Sequence, residues 1–297
     1  KFFLLGSLTS LIYPPFFFLP LGFLIFPYLI ILIKKTSNKN SFIELFFYGL
    51  FFGLGFLIIY LSWIHNPFLI NENTKAYSIL AILLPVFLSI FFGLGFCIYK
   101  YFKNLAFLIL ITPLIFILIE FLISNFLYGF PWITNSLILS NNSFGVYLIK
   151  YFGTLTSGYI IILIFLFPSL LYYKTDILKC KKFILFIYLP FIFFLFVVLI
   201  NPIFYKSNFS KEIKIELYQL VLPINKLNKN EIENDIINKI NNSDSEYIFF
   251  AENNYPYIID KKNYIKISKL IKANKKIIIG ATTFEDDNYY NSFILLE

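Results

Sequence analysis

LAFLILITPLIFILIEFLIS, residues 105–124, is twenty residues long and carries one charge, Glu120. A helix that crosses a bilayer needs about 20 predominantly apolar residues, so this stretch reads as a transmembrane span. Working outward, comparable runs lie at 2–13, 16–33, 42–63, 77–99, 152–171 and 183–200. Pro14-Pro15 breaks the chain between the first two, because consecutive fixed φ angles end a helix. A cleaved signal peptide is one apolar run ahead of a soluble chain, and seven in series exclude it. The expectation is a membrane domain of about seven helices over residues 1–202, followed by a different kind of domain over 203–297. The pentapeptide Phe-Phe-Gly-Leu-Gly occurs at 51–55 and again at 91–95. It reads as chance repetition in a Phe- and Gly-rich chain, with small residues able to let helices approach closely.

The composition agrees. Of 297 residues 59% are hydrophobic and 14% charged, with 40 Phe and 22 Tyr, against roughly 25% charged residues in ordinary soluble domains. The net charge of +8 could suggest nucleic acid, but its distribution says otherwise. Twelve lysines between Lys1 and Lys182 face only four acids, Glu44, Glu72, Glu120 and Asp176, whereas from Ile203 onward 13 lysines balance 13 acids. Nucleic-acid binding needs a basic stripe on one folded surface, and short loops between spans do not make one. Ten of these twelve lysines fall instead in alternate loops: Lys1, then Lys34, Lys35 and Lys39, then Lys100 and Lys103, then Lys174, Lys179, Lys181 and Lys182. The loops of the other side hold Lys75, beside Glu72, and Lys150. The positive-inside rule makes the lysine-rich side cytoplasmic and places the C-terminal domain outside.

From residue 210 the periodicity changes. Residues 213–222 alternate as a strand, 228–240 carry isoleucines at helical spacing, and 247–251 read as a short buried strand. A helix is predicted over 262–276, a strand over 276–283, a turn over 286–290 and a further strand over 291–296. This order spells an α/β layer. It contains no phosphate-cradling glycine motif. Glu252 follows Tyr-Ile-Phe-Phe-Ala directly, at the carboxyl end of the central strand, where ligands of open α/β sheets bind. A carboxylate among apolar neighbours there would be desolvated and suited to act as a general base. The alternative is a glutamate that caps the strand end through loop amides.

Several stretches together resemble the apolipoprotein N-acyltransferases, bacterial membrane enzymes with a nitrilase-type domain. Phe250-Ala251-Glu252-Asn253-Asn254-Tyr255-Pro256 is similar to that family's Trp-Pro-Glu-x-x-x-Pro motif. Leu217-Tyr218-Gln219 to Pro223 resembles its first domain strand, and Ile279-Gly280 with Tyr290-Asn291-Ser292 its third strand and the start of its fourth. In the membrane half, Pro113 to Glu120 followed by Gly129-Phe130-Pro131-Trp132 resembles a helix ending in Glu and its Gly-Phe-Pro-Trp loop. The resemblance covers essentially the whole chain. It implies an α-helical multi-span membrane domain and an α/β nitrilase-like domain, an α-β-β-α sandwich, incomplete at its C-terminus and on the periplasmic side of the bacterial inner membrane. It implies a Glu–Lys–Cys triad with Glu252 as the base, and substrate contacts from Glu120, Pro131 and Trp132. The partners it implies are a phospholipid acyl donor, a diacylated lipoprotein acceptor and the bilayer, with no cofactor and no metal. In the family the Lys and the nucleophilic Cys lie C-terminal to Tyr290-Asn291-Ser292. The 297 residues are therefore expected to stop short of them and to be inactive alone, and without Met at position 1 a fragment or processed form is expected. Where the family motif has Trp-Pro this chain has Phe250-Ala251, and Ile123 stands where the family has an Arg.

The remaining polar residues have plainer readings. Cys97 falls near the cytoplasmic end of its span and Cys180 in a cytoplasmic loop, so neither replaces the triad thiol. Trp63 reads as part of an interfacial aromatic belt. His65 beside it reads as a solvated loop residue, and one His makes no zinc site. Two other functions remain open at this point: a multi-span transporter or receptor with an external binding domain, and a catalytically inactive family member.

Overall fold

The computed structural model describes residues 1–36, 41–70, 72–126, 129–169, 188–189, 213–220, 228–260 and 275–296. It divides into two compact units, Lys1–Lys206 and Ser207–Glu297.

The first unit is helical among the described residues: α1 (Phe2–Ser10), α2 (Gly22–Thr36), α3 (Phe42–Tyr60), α4 (Leu83–Cys97), α5 (Leu105–Asn125) and α6 (Ser143–Phe165). Among the described residues four helical runs are long and apolar enough to cross a membrane: Phe42–Tyr60, Glu72–Tyr101, Leu105–Asn125 and Ser143–Phe165. Polar residues at the ends explain where these begin. Ser41 Oγ accepts from the Glu44 amide while Glu44 Oε2 accepts from the Ser41 amide at 2.8 Å, a capping box that accounts for one of the few acids in this half. Asn104 caps α5 and Asn142 caps α6 with a side-chain oxygen alone, which accepts from the Ala106 and Gly145 amides respectively. The span expected at 16–33 starts only at Gly22, because Pro20 opens a short 3₁₀ turn ahead of it. The span expected at 152–171 starts nine residues early, at Ser143, and bends at Gly153, whose φ of +74° leaves the helical region. The span expected at 183–200 lies outside the described residues apart from two positions.

Glycines set the packing of the first unit. A Cβ at Gly6 would lie 1.9 Å from the Phe52 carbonyl oxygen, and one at Gly55 would lie 2.1 Å from that of Phe3. Helices α1 and α3 thus approach backbone to backbone, each through its own glycine. Gly49 and Gly53 of α3 meet Phe92 of α4, and Gly93 of α4 meets Phe46 of α3. The two Phe-Phe-Gly-Leu-Gly stretches therefore lie against one another. In lipid, where tails are as apolar as side chains, such close contact is a main source of helix association. Phe52 fills the centre, edge-on to Phe116 at 5.8 Å and tilted against Phe96 at 5.5 Å.

Among the described residues the second unit holds a four-stranded mixed sheet, β1 (Ile215–Tyr218), β2 (Tyr247–Phe250), β3 (Lys276–Glu285) and β4 (Asn288–Leu296), in that spatial order. The first two pairings are parallel and the last is antiparallel. Helix α7 (Lys229–Asn242), capped by Asn228, lays Ile232, Ile236 and Ile240 on one sheet face, against Ile248, Phe250, Ile277 and Ile279. The predicted turn at 286–290 is tighter than expected. Asp286 and Asp287 both take positive φ, the two-residue hairpin geometry that Asp tolerates, so β4 starts at Asn288. The helix predicted over 262–276 falls on residues outside those described up to 274, and Lys276 itself opens β3. On the sheet face away from α7, Leu217, Phe249, Ile278 and Leu295 stand in one register row, with Leu217 77% exposed. An apolar row of this kind is what the inner face of an α-β-β-α sandwich requires. The described residues supply one helix layer and one sheet.

Candidate functional site

The candidate residues fall into two groups, one in each unit. In the sheet unit, β2 is an inner strand and runs out at Phe250. The Ala251 amide still donates to the Tyr218 carbonyl at 3.0 Å, so Glu252 is the first residue past the sheet. The chain then turns sharply. Asn253 takes φ +52°, and the Asn254 amide donates to the Ala251 carbonyl at 3.2 Å.

The loop after Glu252 is anchored on three sides. Buried Asn254 accepts from the Leu220 amide at 3.2 Å, and the Tyr255 amide donates to the Gly280 carbonyl at 3.1 Å. The Tyr255 hydroxyl donates to Glu233 Oε1 on α7 at 2.6 Å. Burial, reinforced by that hydrogen bond, pushes the Tyr255 phenol well above its usual range.

Glu252 itself is exposed. This corrects the expectation of a carboxylate desolvated by apolar neighbours. β2 ends before the glutamate, and the side chain leaves the sheet toward solvent. Among the described residues its partner is Asn291 of β4, whose Nδ2 donates to Glu252 Oε1. The sequence places Asn291 in the fourth strand without signalling that partnership, which joins residues 39 apart.

In the helical unit, Glu120 is 3% exposed and its Oε2 accepts twice from Asn135, from the backbone amide at 2.9 Å and from Nδ2 at 2.6 Å. Asn135 Oδ1 accepts from the Tyr13 hydroxyl at 2.6 Å. Between Glu120 and Asn135 lies the 129–134 loop. It opens with the Gly129 amide donating to Phe126 O and the Phe130 amide donating to Ile123 O, both 2.9 Å. Gly129 needs its φ of +72°, and a Cβ there would also strike the Ser124 carbonyl oxygen at 2.3 Å. Pro131 and Trp132 are exposed at the tip. The Trp132 carbonyl accepts from the Tyr60 hydroxyl at 3.0 Å, and its ring meets Trp63 edge-on at 5.4 Å.

This half of the chain also carries the recognisable pattern. Residues 5–167 match the family model described as the apolipoprotein N-acyltransferase N-terminal domain. The chain belongs to the apolipoprotein N-acyltransferase family. No curated protein matches it significantly. The matched region makes it a multi-pass membrane protein of an acyltransferase family that acts in lipoprotein N-acylation. Glu120, Pro131 and Trp132 lie inside the match, and Glu252 lies beyond it.

Within this family member, the residues missed by sequence reading are Asn135 and Tyr13. Their partners are 15 and 122 residues away, and no local pattern signals such contacts. The other candidates have structural contacts. Cys97 Sγ donates to the Gly93 carbonyl of its own helix at 3.4 Å and reaches the Phe42 carbonyl of α3 at 3.6 Å, and His65 bonds Ser62 within its own exposed turn. Among the described residues no group of three His, Cys, Asp or Glu could hold a metal ion. Cys180 lies outside the described residues.

Proposed function

We propose that the chain is the membrane half and the first part of the catalytic domain of an enzyme that N-acylates lipoproteins. The fatty acyl chain would pass from a phospholipid to the N-terminal amino group of an S-diacylglyceryl-cysteine lipoprotein, through a cysteine thioester. The observation that carries this is the match of residues 5–167 to the family's N-terminal domain. The neutral charge balance after residue 203 and the lysine-rich alternate loops support about seven spans over 1–202. They also support a nitrilase-like domain from 203 on the periplasmic side of the inner membrane.

Glu252 is the proposed base. In the first step a thiolate attacks the ester carbonyl carbon of the phospholipid. The carbon–oxygen bond breaks, and the lysophospholipid leaves as an alcohol with the proton that the base took from the thiol. In the second, the lipoprotein amine attacks the thioester carbonyl. The carbon–sulfur bond breaks, and the amine's proton passes to the base or the departing thiolate. A nearby lysine stabilises each oxyanion. The family resemblance assigns this lysine and the cysteine to positions C-terminal to Tyr290-Asn291-Ser292. Pro131 and Trp132 are proposed to meet the lipid donor at the outer membrane surface.

The test is complementation by the full-length gene in cells depleted of this activity, with and without Glu252→Gln. The wild-type gene should restore growth and N-acylated lipoprotein, and the variant should restore neither. Wild-type N-acylation by the Gln variant would remove Glu252 from the mechanism.

A further inference from the structure

A buried carboxylate in an apolar helix is costly unless something satisfies it. Among the described residues Glu120 is satisfied by Asn135, which donates both its backbone N–H and its side-chain N–H to the same oxygen. Asn135 is itself 3% exposed and fully committed. Its Nδ2 also reaches the Phe116 carbonyl at 3.4 Å, one turn before Glu120, while its Oδ1 accepts from Tyr13. On a further side, Gly158 of α6 comes so near that a Cβ there would lie 2.9 Å from Asn135 Cβ. Asn135 is thus wedged where α5, α6 and the turn after α1 meet.

The space beside this pair decides what Glu120 can touch. The void bordered by Thr9, Tyr13, Glu120 and Asn135 has a volume of about 10 Å³, enough for one water molecule and far too small for an acyl chain or a headgroup. Three residues before Asn135, however, stands Trp132, 58% exposed. The loop that carries it is pinned at its start to Ile123 and at its end to Glu120, so both anchors belong to α5.

We propose that Glu120 and Asn135 are positioning residues, a buried latch that closes the 129–134 loop onto α5 and so aims Trp132 at the phospholipid acyl donor. The inference rests on the reading of Trp132 as a donor contact given above. Glu120 acts through an acceptor oxygen, and its negative charge is not required. A glutamine keeps that oxygen, whereas an alanine leaves Asn135 with buried, unsatisfied donors.

The experiment is steady-state kinetics of the full-length enzyme in detergent, with a diacyl phospholipid donor and a synthetic diacylglyceryl-cysteine peptide. Glu120→Ala and Asn135→Leu should each raise the donor KM about tenfold with kcat within about threefold, since a uniformly used binding interaction is lost. Glu120→Gln should rescue KM to within about threefold of wild type, because the acceptor oxygen that takes both Asn135 donors is retained. Tyr13→Phe removes one partner of Asn135 without emptying the site. It should raise the donor KM about threefold, which keeps the test available if the alanine variant fails to fold. A Gln variant as impaired as the Ala variant would overturn the latch and assign the charge a direct role. An unchanged donor KM in Trp132→Ala would instead overturn the donor-contact reading. In that case Glu120→Ala with unchanged KM would leave the latch no function.

Discussion

Gly280 of β3 lies directly against the backbone of Glu252. A Cβ at position 280 would sit 2.7 Å from Glu252 Cα and 2.5 Å from the Ala251 carbonyl oxygen. Both atoms are main chain, so no side chain can swing aside to make room. The glycine lets the end of β2 settle onto β3 and fixes where the glutamate emerges. Gly280→Ala should therefore displace the 251–252 backbone, at a cost of about 1–3 kcal/mol from overpacking. The expected outcome is a lowered melting temperature of the full-length protein in detergent together with reduced acyl transfer. Wild-type values for both would show that the strand end accommodates the methyl group.

The anchoring of the same loop by Tyr255 makes a prediction about alkaline stability. The folded-state phenol titrates above the unfolded value of about 10, because of burial and the bond to Glu233. A raised pKa contributes stability that is whole below pH 10 and is lost as pH climbs above it, when only the unfolded form ionises. Tyr255→Phe should cost about 0.5–1.5 kcal/mol at neutral pH through the lost hydrogen bond. The gap between wild type and variant should then narrow from pH 10 upward in denaturant titrations. A gap independent of pH would mean that the phenol is solvated.

The crossing of α1 and α3 predicts a size limit in the membrane half. Gly6 and Gly55 each face the partner helix's carbonyl groups at distances no Cβ can occupy. Gly55→Leu should push the helices apart and lower the melting temperature in detergent, since an overpacked core loses about 1–3 kcal/mol. Leu94→Ala, at a position 53% exposed in α4, should change it far less. Equal effects from both would mean that the crossing does not govern the stability of this unit.

These relationships mark how far the sequence could be read. Long apolar runs and isoleucines at helical or alternating spacing are local signals, and they locate α3, α5, α7 and the inner strands to within a few residues. Helix α4 instead starts at Leu83, six residues into the run expected from 77, after a 3₁₀ stretch over Ala76–Ile82. Asn142 starts α6 nine residues before the apolar run expected there, because a capping side chain can open a helix in a stretch too polar to read as a span. Paired aspartates at 286 and 287 shorten a turn for the same kind of local reason. Glu252 and the Gly-Phe-Pro-Trp loop stand out by type and neighbours. The hydrogen bonds of Asn135 and Asn291 do not, because each joins distant segments that only the assembled unit brings together. The repeated Phe-Phe-Gly-Leu-Gly likewise hid its use. Whether two such stretches meet depends on helix pairing, which a spacing of 40 residues does not encode.

Asn291 offers the sharpest check on the proposed base. Its carboxamide engages Oε1 of Glu252 and leaves the other carboxylate oxygen to receive a proton. Asn291 stands opposite Thr282 in the β3–β4 register, so its own backbone is fixed by the hairpin. On the proposed mechanism, Asn291→Ala leaves Glu252 present but free to rotate. Misorientation of a base acts on the transition state and not on lipid binding, so kcat should fall about tenfold, or roughly 1.4 kcal/mol, while both KM values stay within about threefold. Glu252→Gln should abolish turnover whichever residue stands at 291. If Asn291→Ala instead raises the KM for either substrate at constant kcat, Asn291 belongs to the binding surface. Its bond to Glu252 is then incidental to catalysis.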